Sequence, residues 1–130
     1  MLCRLALLLA CSLAACATVD IGGPANELPY RCDALVVIGR VTILSEENIP
    51  DPAPFPYWQS RWQVQVRIKQ VIRGSERRLV VPATSISHGE LRDDLDFLAV
   101  LNPVEGGGYF LETAAPWDVR PRPRLVEPCS

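Results

Sequence analysis

The chain has 130 residues, with 13 Lys and Arg against 15 Asp and Glu, and its formal net charge is −2. Nucleic-acid binding needs clustered positive charge, so this balance gives no indication of a nucleic-acid partner. The sequence contains a single histidine, which excludes zinc sites that need two histidines from this chain. The length suits one domain with a core of useful size.

Residues 1–15 have the features of a short export signal. Arg4 is the only charged residue, and an apolar run extends from Leu5 to Ala15. This run is too short for a bilayer, which needs about 20 helical residues, and it has the small-residue end of a secretory signal. The sequence Leu-Ala-Ala-Cys at 13–16 resembles the lipobox of bacterial lipoproteins. The resemblance implies cleavage before Cys16, acylation of its sulfur and anchoring to membrane lipid.

The residues around the cleavage site leave one alternative open and suggest a location. Ala15-Cys16-Ala17 also fits the rule of ordinary signal peptidase, which would release a soluble protein from Thr18. Lipoproteins held at the inner membrane tend to carry Asp after the cysteine, and here Ala17 occupies that position. We therefore predict a lipid-anchored protein of the cell envelope, at the periplasmic face of the outer membrane rather than at the inner membrane.

Three of the five cysteines remain after cleavage: Cys16, Cys32 and Cys129. With Cys16 lipidated, an even pair is left in an oxidising compartment. We predict a Cys32–Cys129 disulfide. Two independent thiols are the alternative.

The mature chain divides into a tether and one domain. Residues 16–29 contain the lipidated N-terminus and a tether rich in Gly and Pro, and 30–130 form the domain with a proline-rich tail. Five strands are predicted, at 34–44, 62–69, 77–83, 97–101 and 109–113. The alternation of the second strand breaks where Val71 and Ile72 are both apolar, which predicts a bulge near Gln70. Residues 45–60, with four alternating prolines, are predicted to be a loop.

The predicted fold is all-β, a small five-stranded antiparallel Greek-key barrel. The order of motifs resembles the OB-fold of the netrin-like domain, which tissue inhibitors of metalloproteinases share. The resemblance covers 32–113 and consists of Cys32-Asp33-Ala34, Val37-Ile38-Gly39-Arg40-Val41, Val71-Ile72-Arg73-Gly74 and Phe97-Leu98-Ala99-Val100. Those inhibitors chelate the protease zinc with an N-terminal Cys-x-Cys, which this chain lacks. The resemblance therefore extends to the fold and not to the zinc-chelating mechanism.

The proline-rich loop carries the candidate ligand-binding residues Phe55, Tyr57 and Trp58. It joins the first two strands, and in OB-folds that connection is one of those that meet ligands. Exposed aromatic rings on a stiff segment can stack on sugars or fill a pocket in a partner protein. The alternative is that the rings fold back over the barrel as a lid.

The remaining polar features give weaker indications. His88 has serines and carboxylates nearby in sequence, but no serine lies in a nucleophile motif, so a solvated loop histidine is the preferred interpretation. Asp93, Asp94 and Asp96 do not have the ligand spacing and the glycine of an EF-hand calcium loop. Their presence is better explained by the preference of aspartate for turns. No catalytic residue, metal site or cofactor is predicted.

The tail of the chain carries arginines that alternate with prolines. Arg120, Arg122 and Arg124 form a basic strip that can meet lipid phosphates or acidic groups of a partner. A tail that simply leads back to the disulfide is the preferred interpretation.

The functional prediction is a lipid-anchored, non-enzymatic binding or scaffolding module of the cell envelope. Its partners would be membrane lipid through acylated Cys16 and an envelope protein or glycan through the Ile49–Trp58 loop. The alternative is a protease inhibitor that blocks an extracytoplasmic protease by loop insertion. An enzyme is not expected, because no acid–base or nucleophile set stands out.

Overall fold

The computed structural model describes residues 26–49, 59–89 and 91–130. The regular elements in these ranges are seven β-strands, as the predicted all-β fold requires. They are β1 (Glu27–Leu28), β2 (Leu35–Ile49), β3 (Gln59–Arg73), β4 (Val80–Ser87), β5 (Asp96–Pro103), β6 (Tyr109–Pro116) and β7 (Arg124–Leu125).

Five of the strands close into a barrel in the order β2-β3-β4-β6-β5, which confirms the predicted five-stranded OB-like barrel. Four neighbouring pairs are antiparallel, and β4 and β6 are parallel through Ala83↔Tyr109 and Thr84↔Phe110. Directions cannot alternate around a closed ring with an odd number of strands, so at least one pair must be parallel. The sheet is therefore mixed, and the predicted purely antiparallel arrangement is wrong for the β4–β6 pair.

The first part of strand β2 is apolar on both faces because each face is buried by a different part of the molecule. One face points into the barrel, where Val37 and Val41 pack with Val64, Val66 and Leu101. The opposite face carries buried residues of a second cluster that also includes the chain ends: Leu28, Tyr30, Val36, Ile38, Leu98 and Val100. Successive side chains of a strand point to opposite faces, so burial of both faces removes even-numbered and odd-numbered residues alike from water.

Bulges allow the long β2–β3 pair to bend around the barrel. The pairing shifts register opposite Val36/Val37 and Ile38/Gly39, so that extra residues fall on β3 on either side of Gln70. This confirms the predicted bulge near that residue. Gly39 lies close against β3, where an added Cβ would be 2.5 Å from the carbonyl oxygen of Arg67.

The strands extend into the segment 45–60 that was predicted to be a loop. Residues 45–49 and 59–60 are paired, up to Ile49↔Gln59, and the predicted loop is wrong at these positions. Strand β2 beyond Arg40 pairs only with β3, and most side chains there are exposed. An exposed two-stranded extension needs no apolar alternation, which is the pattern on which the prediction depended.

The two ends of the described chain meet on the outside of the barrel. Strand β1 pairs in parallel with β7, and Leu28 is buried although it falls within the segment assigned to the tether. The predicted disulfide is present, and it joins Cys32 to Cys129 across a sequence separation of 97. The hydrogen bonds Cys32 N to Ser130 O and Ser130 N to Tyr30 O reinforce the same junction.

Candidate binding site at the barrel mouth

A cleft of about 590 Å³ opens at one end of the barrel, and we call it the mouth cleft. Its walls are the extended β2–β3 pair and the connection between β4 and β5. The lining residues are Ile43, Glu46, Asn48, Ser60, Trp62, His88, Gly89, Leu91 and Asp93. Its volume exceeds that of three other cavities among the described residues, which have about 310, 320 and 250 Å³.

The mouth cleft continues the inner face of the barrel. Trp62 belongs to the barrel core and is 6% exposed. Directly opposite it across the strand pair is Glu46, and Asn48 is opposite Ser60 one step further out. Opposite residues share a face of a sheet, so all four point to the same side. The inner face thus changes from apolar to polar where the barrel opens to water.

A bulge at Leu44 makes this arrangement possible. The register shifts between Ile43 and Ser45, so that Leu44 has no partner of its own on β3 and is 58% exposed. Without this extra residue the strict alternation of a strand would turn Glu46 and Asn48 to the outer face. The bulge is therefore the feature that puts these polar side chains in the mouth cleft.

Hydrogen bonds fix the polar groups of the cleft wall. The Ser60 hydroxyl lies 2.7 Å from Glu46 Oε1 and 3.2 Å from Asn48 Oδ1. It has one proton, so it donates to one of the two acceptors at a time and holds both near it. The wall therefore offers several hydrogen-bond acceptors to the cleft, which suits a ligand that brings hydroxyl or amino donors.

A second group of bonds positions His88 at the opposite wall. The Trp62 indole donates to Ser87 Oγ at 3.0 Å, and that hydroxyl donates to the carbonyl oxygen of Gly89 at 2.8 Å. These two bonds hold the turn that contains His88 against the tryptophan. The imidazole Nε2 lies 3.2 Å from Gln59 Nε2, next to the base of the proline-rich loop.

Ser85 and Asp94, two of the residues considered with His88, have other partners in the structure. The Ser85 hydroxyl is buried and is directed at the carbonyl oxygen of Leu111, at 3.5 Å. Asp94 forms an ion pair with Arg92 at 2.6 Å, and the hydrogen bonds from this guanidinium lower the pKa of the Asp94 carboxyl. The structure thus explains these residues by packing and local ion pairing.

Asp96 belongs to the barrel wall and not to the mouth cleft. Its carboxylate accepts hydrogen bonds from Lys69 at 2.7 Å and Arg40 at 3.0 Å, and the side chain is 15% exposed. The bond from Lys69, followed by that from Arg40, lowers the pKa of Asp96 below its ordinary value. Among the described residues there is no group of three or more His, Cys, Asp or Glu side chains that can hold a metal.

Of the site residues predicted from the sequence, some lie within the described residues and others lie outside them. Cys32 and Cys129 are joined as predicted. Cys16 and the aromatic residues Phe55, Tyr57 and Trp58 lie outside the described residues. The structure does describe the base of their loop, because Ile49 pairs with Gln59 at the rim of the mouth cleft.

The mouth cleft is not predicted from the sequence. Glu46, Asn48 and Ser60 were assigned to a loop, and Trp62 was assigned to the apolar face of a strand. The available signal was weak: polar residues at alternate positions continue the apolar face of each strand outward. The bulge at Leu44 shifts that alternation on β2, so the pattern is recognisable only when the register is known.

Comparisons with known proteins assign no relative. No protein-family model matches the chain, and no curated protein or solved structure matches it. In the part of the chain that the structure describes, no helix is long and apolar enough to cross a membrane.

Proposed function

We propose that this protein is a lipid-anchored, non-enzymatic binding module of the bacterial cell envelope, held to the outer membrane through Cys16. The lipobox-like residues 13–16 support the anchor. The Cys32–Cys129 disulfide supports an oxidising compartment, because disulfides persist in exported proteins and are rare in the cytosol. The resemblance of residues 32–113 to netrin-like domains remains part of this proposal. It adds only the expectation of a related fold.

The ligand site in this proposal combines the Ile49–Trp58 loop with the mouth cleft. The observation that carries it is the pairing of Ile49 with Gln59, which brings both ends of the loop to the rim of the cleft. A ligand held by Phe55 or Trp58 would then have the acceptors Glu46 and Asn48 within reach. Aromatic rings beside hydrogen-bond acceptors suit a glycan or a polar segment of an envelope protein.

A photocrosslinking experiment in living cells tests the binding site. We expect a photoreactive amino acid at Tyr57 to form a defined set of adducts with envelope material, because an aromatic ligand contact would place it against the partner. The same amino acid at Leu79, which is 74% exposed on another part of the surface, serves as the matched control. Loss of the Tyr57 adducts when Glu46 and Asn48 are both replaced by Ala would include the mouth cleft in the site. Identical adduct patterns from the two positions would contradict the proposal.

Intact-mass analysis of the protein extracted from membranes tests the anchor separately. We expect the mass of a chain starting at Cys16 plus its acyl groups, reduced by two hydrogens for the disulfide. A Cys16→Ser variant is the matched control and should leave the membrane fraction. An unmodified chain that starts at Thr18 would instead show release by ordinary signal peptidase.

The β2–β3 extension also favours a second candidate, an inhibitor of an extracytoplasmic protease that acts by loop insertion. The two strands project the loop from the barrel on a paired stem, as Ile49↔Gln59 shows for its base. Such a stem limits the entropy that the loop loses on binding. Dose-dependent loss of protease activity, abolished by Phe55→Ala with Trp58→Ala, would support inhibition over scaffolding.

A further inference from the structure

The chain enters the described domain next to an arginine-rich segment, residues 117–124, which we call the basic strip. The Asn26 side chain donates to the carbonyl oxygen of Pro121 at 3.0 Å. One residue later, Glu27 pairs with Arg124 in the β1–β7 sheet, and their side chains form an ion pair. The entry point of the chain is thus fixed against the middle of the basic strip.

Two arginines of the basic strip are available to an anionic ligand. Arg122 stands over the Trp117 ring, with 4.7 Å from the guanidinium carbon to the ring centroid. Neither Arg120 nor Arg122 forms an ion pair with a carboxylate among the described residues, whereas Arg124 is paired with Glu27. An arginine over an indole keeps its hydrogen-bond donors for a phosphate, which guanidinium groups bind in a bidentate manner.

Apolar and aromatic groups accompany these charges. Val119 is 52% exposed between Trp117 and the first arginine, and Pro123 is buried and holds the strip against the barrel. Trp117 is half-buried against the second buried cluster and lies under Arg122, so the apolar group that the strip exposes is Val119. An exposed aliphatic side chain beside arginines suits the headgroup level of a bilayer. The strip therefore matches a lipid surface in polarity as well as in charge.

Chain length connects the basic strip to the membrane. Ten residue steps separate Cys16 from Asn26, so the entry point lies no more than about 35 Å from the lipidated cysteine. Without the signal segment the chain has 12 basic and 15 acidic residues, so the domain as a whole is acidic. The basic strip carries three arginines and one carboxylate, that of Asp118, so it keeps a positive charge. Anionic lipids would repel most of the surface and attract the strip, which also contacts the point where the tether enters the domain.

We propose that the basic strip is the membrane-facing surface of the anchored domain, and that Arg120 and Arg122 bind the phosphates of anionic lipid headgroups. This inference depends on the proposed lipid anchor. It goes beyond that anchor, because it assigns the orientation of the domain and the residues that hold it. The mouth cleft and its loop would then be presented by a domain of fixed orientation.

Fluorescence quenching on vesicles tests the orientation with the full mature protein. Cys16 is acylated and Cys32 is bonded to Cys129, so Val119→Cys introduces one reactive thiol for a dye. Leu79→Cys, at an exposed residue outside the strip, is the matched control. The lipidated proteins are reconstituted in vesicles with a headgroup-linked quencher and about one third anionic lipid. We expect the dye at Val119 to be quenched more strongly than the dye at Leu79. The difference between the two positions should decrease when salt is added, because salt screens the attraction between arginines and lipid over about 10 Å at 0.1 M.

A charge-neutralising pair tests the two arginines. Arg120→Gln with Arg122→Gln should reduce the ratio of membrane-facing to free orientations by about 30-fold, from the contribution typical of two surface arginines. Arg67→Gln with Arg77→Gln removes the same charge elsewhere on the surface and should leave the quenching at Val119 unchanged. Equal effects of the two pairs would refute a specific role of the strip.

The outcomes separate this inference from the anchor. If intact mass shows no acyl group on Cys16, the anchor is refuted and the orientation is refuted with it. If the protein is acylated but Val119 and Leu79 are quenched equally, the anchor stands and the inference is overturned. Equal quenching of Val119 on anionic and neutral vesicles also overturns it, as does burial of the strip by an acidic protein in place of lipid.

Discussion

Removal of the Cys32–Cys129 disulfide should lower the free energy of unfolding by about 3 to 5 kcal/mol. The magnitude comes from the loop that the bond closes, which spans a sequence separation of 97. Closing a loop of this length restricts the unfolded chain, and the chain-entropy model gives about 4.7 kcal/mol for roughly 100 residues. Small domains have total free energies of unfolding of about 5 to 15 kcal/mol, so the disulfide would contribute a large share of the stability.

The native structure contains enough other contacts to retain its shape without the bond. Strand β1 remains paired with β7, and the Tyr30 hydroxyl donates to Glu127 at 2.5 Å while Arg73 donates to the same carboxylate at 2.8 Å. We therefore expect the effect to arise mainly in the unfolded state. In the Cys32→Ala with Cys129→Ala variant, barrel amides should stay protected from exchange under native conditions.

Urea unfolding followed by circular dichroism measures the effect. The double variant and the reduced wild-type protein should show the same lowered midpoint, with a larger dependence on urea because the unfolded chain expands. Ser130→Ala, beside Cys129, is the matched control, since the structure uses the Ser130 backbone for the junction. A change below about 1 kcal/mol in the double variant would refute loop closure as the major contribution of the bond.

Two further predictions concern the barrel wall. Gly39→Ala should lower the free energy of unfolding, measured by urea unfolding, by about 1 to 3 kcal/mol, because its Cβ would meet the Arg67 carbonyl oxygen at 2.5 Å. Gly89→Ala is the control: an added Cβ there has open space, so the free energy of unfolding should change little. Asp96 has a pKa lowered chiefly by Lys69, so its stabilising contribution is present above the ordinary aspartate value and is lost as pH falls through the lowered value. Below about pH 4, the free energy of unfolding should therefore fall less steeply with decreasing pH in Asp96→Asn and in Lys69→Met than in the wild-type protein. An unchanged slope would contradict the stabilising role assigned to the Asp96 carboxylate.

No local pattern in the sequence predicts the charge cluster where the two ends of the described chain meet. Tyr30, Arg73 and Glu127 come from three distant parts of the chain and meet only when the tail returns to the barrel. The bond to Tyr30, and then that to Arg73, lowers the pKa of Glu127. Contacts of this kind depend on long-range pairing, which no local pattern encodes.

The sequence by itself determined the features that depend on neighbouring residues. Alternation from Trp62 to Ile68 predicted a strand, two adjacent apolar residues after Gln70 predicted a bulge, and cysteine parity predicted the disulfide. The strand and the bulge follow from a local rule, because a side chain's face depends on its position within its own strand. The disulfide follows from a count of cysteines, which leaves one pair once Cys16 is assigned to lipid.

Tertiary structure decided which strands become neighbours and which side chains meet at the end of the barrel. The parallel β4–β6 pair, the paired residues 45–49 and the mouth cleft at Glu46 and Ser60 all depend on closure of the ring and on the register shift at Leu44. Closure brings together residues far apart in sequence, and the free energy of that assembly is shared among many contacts. A pattern read along the chain contains no information on such distances, so these features were visible only in the folded molecule.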